Sequence, residues 1–119
     1  MRSLNKVELI GNLTRDPEFA VTGTGVSVCN FSVATDRSWK TDKGDKHEET
    51  EFHRVVAWQK LAELCRDILK KSSKVYCQGR LSSRKYIDDN GIERLTTEII
   101  LEDMICLDKK DDTVSKDAV

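Results

Sequence analysis

Phe52, Arg54 and Trp58 stand at even spacing in the stretch Glu51-Phe-His-Arg-Val-Val-Ala-Trp58. Side chains of a strand alternate between two faces, so these three share one face with Val56. Glu51, His53, Val55 and Ala57 take the other. A cation between two flat π-surfaces along an extended track suits a single-stranded nucleic acid, whose bases stack on rings while its phosphates seek Arg and Lys. The same pattern fits a strand buried on both faces with Arg54 in an ion pair, and the segment alone leaves both readings open.

Further aromatics sit in basic surroundings: Trp39 beside Arg37 and Lys40, and Tyr86 beside Arg84 and Lys85. An exposed ring between cations has a physical purpose when it meets a flat ligand. Trp58 also fits a second role, closing the core against a helix. Phe31 shares parity with Cys29 and Val33 and reads as core; Tyr76 fits either setting, and Phe19 falls in or near a loop.

Other chemistry is poorly supplied. Cys29, Cys65, Cys77 and Cys106 are scattered without a C-x-x-C pair, and His47 and His53 lack the spacing of zinc ligands, so no metal is expected. The cysteines read as small buried hydrophobes with free thiols, which favours a reducing compartment. No signal-peptide core or membrane-length apolar run appears, and the expected location is the bacterial cytoplasm, with the nucleoid, rather than the mitochondrial matrix. Asp88-Asp89 reads as turn chemistry and Glu48-Glu49 as part of a charged loop. With no nucleophile–base pair and no phosphate-cradling glycine pattern, neither an enzyme nor a cofactor is expected.

A chain of 119 residues suits one domain with a single core. Taking the three lysines and four aspartates of residues 108–119 from the chain's 20 cations and 21 anions leaves 17 of each. Any affinity for nucleic acid must then come from a local groove and from stacking, not bulk charge.

The elements that must position the site are mostly strands. Val7, Leu9 and Leu13 share one parity, giving a first strand in which Gly11 reads as a bulge. Pro17 and Thr22-Gly-Thr-Gly25 mark a loop. A second strand runs from Val26 to about Arg37, a charged loop from Lys40 to Glu49, and a third strand from about Thr50 to Trp58. Leu61, Leu64, Cys65, Ile68 and Leu69 follow the helical period for about three turns, with Lys70 and Lys71 in the last turn, where the helix dipole favours cations. A fourth strand covers Lys74 to Arg80, then a hairpin runs from Leu81 to Glu102 around Asp89-Asn90-Gly91, where Asn-Gly supplies the positive φ of a tight turn. After Cys106 the pattern lapses into what reads as a flexible tail. This order is that of an OB-fold, an all-β, five-stranded Greek-key barrel with one helix between strands three and four. The expected division is an OB domain over residues 1–107 and a tail over 108–119.

Asn5-Lys-Val7, Leu9-Ile-Gly-Asn-Leu13, Asp16-Pro17, Glu51-Phe-His-Arg-Val-Val56, Lys60-Leu-Ala-Glu63, Val75-Tyr76 with Gly79, and Arg84-Lys-Tyr86 closely resemble, in order and without large gaps, the bacterial single-stranded DNA-binding protein family, which includes the mitochondrial form. The resemblance implies base stacking at Trp39, Phe52, Trp58 and Tyr86, a homotetramer of OB-folds with His53 near a subunit interface, and DNA wrapped around the outside. Phe52 replaces the tryptophan commonest at its position, keeping a π-face of smaller area. Candidates for phosphate contact are Lys6, Arg54, Lys60, Lys71, Arg84 and Lys85. The family's usual Gly/Gln/Pro-rich linker and acidic tip, which recruits replication and repair proteins, is not found before the terminal Lys116-Asp-Ala-Val119, so those partners are not carried over. Two rivals are an OB-fold enzyme subunit, against which the missing carboxylate cluster argues, and a primosome-like accessory module that binds DNA weakly, against which the full aromatic set argues.

Overall fold

The structure is a computed structural model that describes residues 2–109; the expected tail therefore lies, from residue 110 onward, outside the described residues. Its elements are β1 (Val7–Leu13), β2 (Glu18–Val21), β3 (Ser27–Lys40), β4 (Lys46–Trp58), α1 (Lys60–Ile68), β5 (Lys74–Ile87) and β6 (Glu93–Cys106). Hydrogen bonding runs in the order β1-β5-β6-β4-β3, and β1 also pairs with β3, which closes the five strands into a barrel. All barrel pairings are antiparallel except β4 with β6. This is the expected Greek-key OB-fold, with β2 as a short sixth strand outside the ring on the edge of β3.

Closure turns on one residue. At Asn12 the strand β1 leaves its run along β5 and meets Ala34 of β3. A Cβ on Gly11 would collide with the backbone carbonyl of Ala34, so only glycine lets the two strands approach. The β1–β5 register passes through Gly11 without a shift, so the glycine marks a close backbone approach, not the bulge its sequence position suggested. The bulge lies on β6 instead. Gln78 faces Asp103 while Gly79 faces Leu101, leaving Glu102 as the extra residue. That insertion breaks the spacing of inward residues between Leu101 and Met104, which is why the strand reads as ending near Glu102 when it continues to Cys106.

Odd-numbered side chains of β3 and β4 fill the interior: Cys29, Phe31 and Val33 from one, Val55 and Ala57 from the other. Leu13, Val75, Cys77, Ile99, Leu101 and Met104 complete the ring, and Ala62, Cys65 and Leu69 plug it from the helical side. The helix is shorter than its periodicity implies. Leu69 is already extended and buried, so Lys70 and Lys71 fall in the turn beyond the helix, where the Ser73 hydroxyl accepts the Lys70 N–H at 3.1 Å. Its buried face is Ala62 and Cys65, with Leu64 and Ile68 left outside. Leu69 beyond the helix and the partly buried Leu61 pack beside them, while Leu64 and Ile68 are turned to solvent.

Two hairpins overshoot the barrel. The β3–β4 ladder continues unbroken to Lys40 opposite Lys46, turning through Thr41–Asp45. The charged segment expected as a loop is thus a hairpin arm, with residues 42–50 all exposed and no apolar alternation to betray it. Residues 81–87, expected as a separate hairpin strand, simply prolong β5. The short β2 went unread because four residues between Pro17 and Thr22 carry too little pattern; there Phe19 packs on the core, with the Arg66 guanidinium 4.4 Å above its ring.

The cysteines are unpaired, as expected. Burial pushes the thiols of Cys65 and Cys77 up to about 12 and raises that of Cys29. At pH 8 a thiol reagent should therefore label Cys106, which is half-buried, and reach the other three only after unfolding; equal labelling of all four in the folded protein would contradict this packing. Gly11→Ala should cost about 1–3 kcal/mol of stability, or prevent folding, as measured by urea unfolding.

Candidate nucleic-acid interface

Because the interior takes the odd residues of β4, the even ones must leave the barrel. Phe52, Arg54 and Trp58 do so, and with Val56 they form the outer face of this strand. Phe52 lies opposite Ala34, Arg54 opposite Ser32 and Trp58 opposite Val28 on β3. Alternation on β5 sends Arg84 and Tyr86 outward in the same way, opposite Thr96 and Arg94 of β6. One outer surface, spanning β3, β4, β6 and β5, thus carries three of the four expected stacking aromatics. Trp58 is not part of the core, which removes its structural alternative.

Trp39 is placed differently. It pairs with His47, five residues from Phe52 along an unbroken ladder, so the two rings leave opposite faces of the β3–β4 arm. The Trp39 and His47 rings stack with centroids 5.6 Å apart and planes 21° apart, and the Arg37 guanidinium lies 4.4 Å from the Trp39 ring centre. A flat ligand at Trp39 would meet a ring already partnered, whereas Phe52 stands free. Exposure of the four aromatics runs from 40% at Trp39 to 68% at Phe52, high for side chains of this size.

The cations are more constrained than the sequence suggests. Arg54 and Arg84 both contact Glu98 of β6, which the parallel β4–β6 register brings alongside Arg54. The ion-pair alternative for Arg54 was thus correct, but on a surface rather than inside a two-sided core. Lys85 reaches Glu93 at 3.5 Å and Lys6 reaches Glu8 at 3.9 Å, both well exposed and therefore weak. Among the described residues Lys60 and Lys71 make no ion pair. Lys60 opens α1, separated from Trp58 only by the N-cap Gln59. Lys71 sits in the turn beyond the helix, its backbone N–H donating to Asp16 Oδ1 at 2.8 Å.

Sequence reasoning missed two participants. Glu98 reads as one more charge in a β-hairpin, and only the cross-strand register reveals its two arginines. Arg15 lies between the first strands with no aromatic beside it to draw attention. It lines a groove of about 260 Å³ with Asp16, Glu18, Asn30, Ser32, Phe52 and Arg54. The groove offers a π-face, two cations offset by two carboxylates, and amide and hydroxyl groups in one concavity, so its contribution to binding a base-bearing strand is polar contact and stacking rather than net charge. His53 points to the inner side and is half-buried, its Nε2 2.8 Å from the Thr35 hydroxyl. Among the described residues no cluster of His, Cys, Asp or Glu is arranged to hold a metal, and no helix is long and apolar enough to cross a membrane.

The sequence model of the single-strand binding protein family matches residues 4–107. Single-stranded DNA-binding protein 1 of Chlorobaculum tepidum is 49% identical over 112 residues, covering 92% of this chain and 68% of that protein. The single-stranded DNA-binding protein of Neisseria meningitidis is 48% identical over 102 residues, covering 86% of this chain and 59% of its own length. Among solved structures, a Plasmodium falciparum SSB in complex with ssDNA superposes with a TM-score of 0.84 at 35% identity, over 91% of this chain and 98% of that one.

The tip that carries Tyr86 outward depends on Asp88. Its carboxylate accepts from Arg94 at 2.8 Å and from the Ile92 and Asn90 backbone N–H groups, and these bonds, Arg94 foremost, hold its pKa below the ordinary carboxylate value. A depressed pKa contributes order that is present above the ordinary value of about 3.9 and is lost as pH falls through the lower folded value. NMR in acid should therefore show the Asn90 and Ile92 amides shifting below about pH 4 while core amides keep their positions; tip amides that stay fixed throughout would contradict the Asp88 assignment.

Proposed function

This chain belongs to the single-strand binding protein family, and we propose that it binds single-stranded DNA without marked sequence preference, protecting it during replication, recombination and repair. The observation that carries the proposal is the outer face of β4 and β5, where Phe52, Trp58 and Tyr86 alternate with Arg54 and Arg84 over a closed barrel. Stacking accepts any base because every base has a π-face, and the phosphates between stacked bases meet the cations. Trp39 extends the track onto the far side of the β3–β4 arm, as a strand wrapping around the molecule would require. Lys6, Lys60, Lys71 and Lys85 supply phosphate contacts along the flanks, and Arg15 joins them at the groove beside Phe52. The work is binding, not catalysis. The domain that performs it spans residues 1–107, and its compartment is the bacterial cytoplasm.

We further propose that the working unit is a homotetramer. Residues Val7–Ile10 pair with β5 on one side only, since β1 meets β3 only at Asn12 and Leu13, and this open edge carries the exposed Ile10. An unpaired edge of this kind is a template for another chain. Tyr76, whose hydroxyl donates to Glu8 at 2.7 Å, lies beside that edge. His53 is the residue that family likeness sets near a neighbouring subunit. Light scattering at micromolar concentration should give a tetramer mass, and a monomer mass would refute the assembly.

Titration with oligo-dT followed by tryptophan fluorescence tests the binding itself: strong quenching is expected, and a folded protein that shows none would refute the reading. Phe52→Ala or Tyr86→Ala should cost on the order of 1–3 kcal/mol of affinity without unfolding the protein. The loss should be the same at every salt concentration, because stacking releases no counterions. Lys85→Ala should instead flatten the slope of log affinity against log salt by up to about 0.7, the value per phosphate neutralised on a single strand.

A further inference from the structure

Glu98 is an acidic side chain in the middle of a face proposed to bind a polyanion. Its side chain is only 9% exposed, although it belongs by alternation to the outer surface, opposite Ser82. Two arginines contact its carboxylate. Arg54 Nε lies 3.4 Å from Oε2; Arg84 Nη2 lies 3.3 Å from the same oxygen and Arg84 Nε donates to Oε1 at 3.4 Å. The two guanidiniums come from strands on either side of β6 and are each more than half exposed.

Burying a carboxylate is unfavourable unless cations and hydrogen bonds compensate it. Here two cations do so, and neither is exhausted. A guanidinium has five N–H donors. Arg84 donates its Nε and Nη2 to Glu98, while Arg54 meets the carboxylate as an ion pair without a hydrogen bond, which leaves the N–H groups of Arg54 and the Nη1 of Arg84 for another acceptor. Without the carboxylate, the two like charges would repel and their long side chains would spread through many rotamers. With it, they are held at a fixed spacing between the rings of β4 and Tyr86 of β5. The three groups together carry a net charge of +1.

We propose that Glu98 is a positioning residue for nucleic-acid binding: it clamps Arg54 and Arg84 into a single site of net charge +1 that takes one phosphate, so that two arginines count electrostatically as one cation. The inference rests on the single-stranded DNA reading above and adds to it how many phosphates this face neutralises and what orders its cations. It also explains an acidic residue on an anion-binding surface, since the charge given up is exchanged for geometry.

The test is oligo-dT affinity measured across salt concentrations for the wild type, E98Q, R84Q and the double variant R84Q/E98Q, each checked for folding by circular dichroism. A slope of about −0.7 per neutralised phosphate sets the scale. E98Q raises the site to +2 and should steepen the slope by about 0.7; R84Q lowers it to zero and should flatten it by about 0.7. The double variant restores +1 and should recover the wild-type slope, yet bind at least about threefold more weakly at any one salt concentration because the clamp is gone. An unchanged slope in E98Q would overturn the charge assignment. If E98Q did not fold, the double variant decides alone, and a slope as flat as that of R84Q would overturn it. A double variant matching the wild type in affinity as well as slope would overturn the positioning role. Absence of oligo-dT binding by the wild type would sink the functional reading and this inference together, whereas wild-type binding with an indifferent Glu98 would sink this inference alone.

Discussion

The close approach of β1 to β3 at Gly11 is the constraint from which the rest follows. One strand must serve two neighbours, running along β5 from Val7 to Asn12 and touching β3 at Asn12 and Leu13. The transfer requires the backbones to meet where any Cβ would strike the Ala34 carbonyl. Once the ring is closed, inside and outside are fixed for every strand, and alternation leaves no freedom in where the functional side chains go. Phe52, Arg54 and Trp58 are exposed because Val55 and Ala57 are inside, not through any preference of their own.

Closure also explains why the outer face can be both polar and rigid. The core is supplied by small and branched residues from all five barrel strands, with Ala62, Cys65 and Leu69 sealing one end. The aromatics are therefore spared from core duty, apart from Phe31 and the partly buried Phe19. Large rings that are not needed for packing remain available to a ligand, held on strands rather than on loops. The two long hairpins then extend the surface past the barrel, and at their ends local devices take over: the Asp88 turn under Tyr86, and the Arg37–Trp39–His47 stack on the other arm.

Much of this was legible in the sequence wherever one face was apolar and the other was not. The first strand, the parity of the Glu51–Trp58 stretch and the core role of Phe31 all follow from alternation that burial enforces, and the element order sufficed for the OB-fold. Legibility failed where burial stops or changes period. Beyond the barrel both faces of the β3–β4 hairpin are wet, so residues 40–49 showed charge and no strand. The extra residue at Glu102 shifted the inward positions by one and hid the last residues of β6, 103–106. Of the helical period Leu61, Leu64, Cys65, Ile68 and Leu69, Cys65 and Leu69 enter the core and Leu61 packs against it. Leu64 and Ile68 stay outside, and Ala62, absent from that period, is buried instead. Within the site, the aromatic set was visible because its members flank cations in sequence. The pairing of Glu98 with Arg54 and Arg84 joins residues 44 and 14 positions apart through strand register and has no local trace.

The central claim is that bases stack on the outer face of β4 and β5. Ultraviolet crosslinking of bound oligo-dT, with the attachment sites located by mass spectrometry, tests it most directly, because crosslinks form where a thymine lies against a side chain. The account predicts adducts at Phe52, Trp58 and Tyr86, and a further one at Trp39 when the oligonucleotide is long enough to pass around the β3–β4 arm. Adducts confined to Tyr76, at the end of β5 beside β1, and to its neighbours along β1, with none at Phe52, Trp58 or Tyr86, would contradict it.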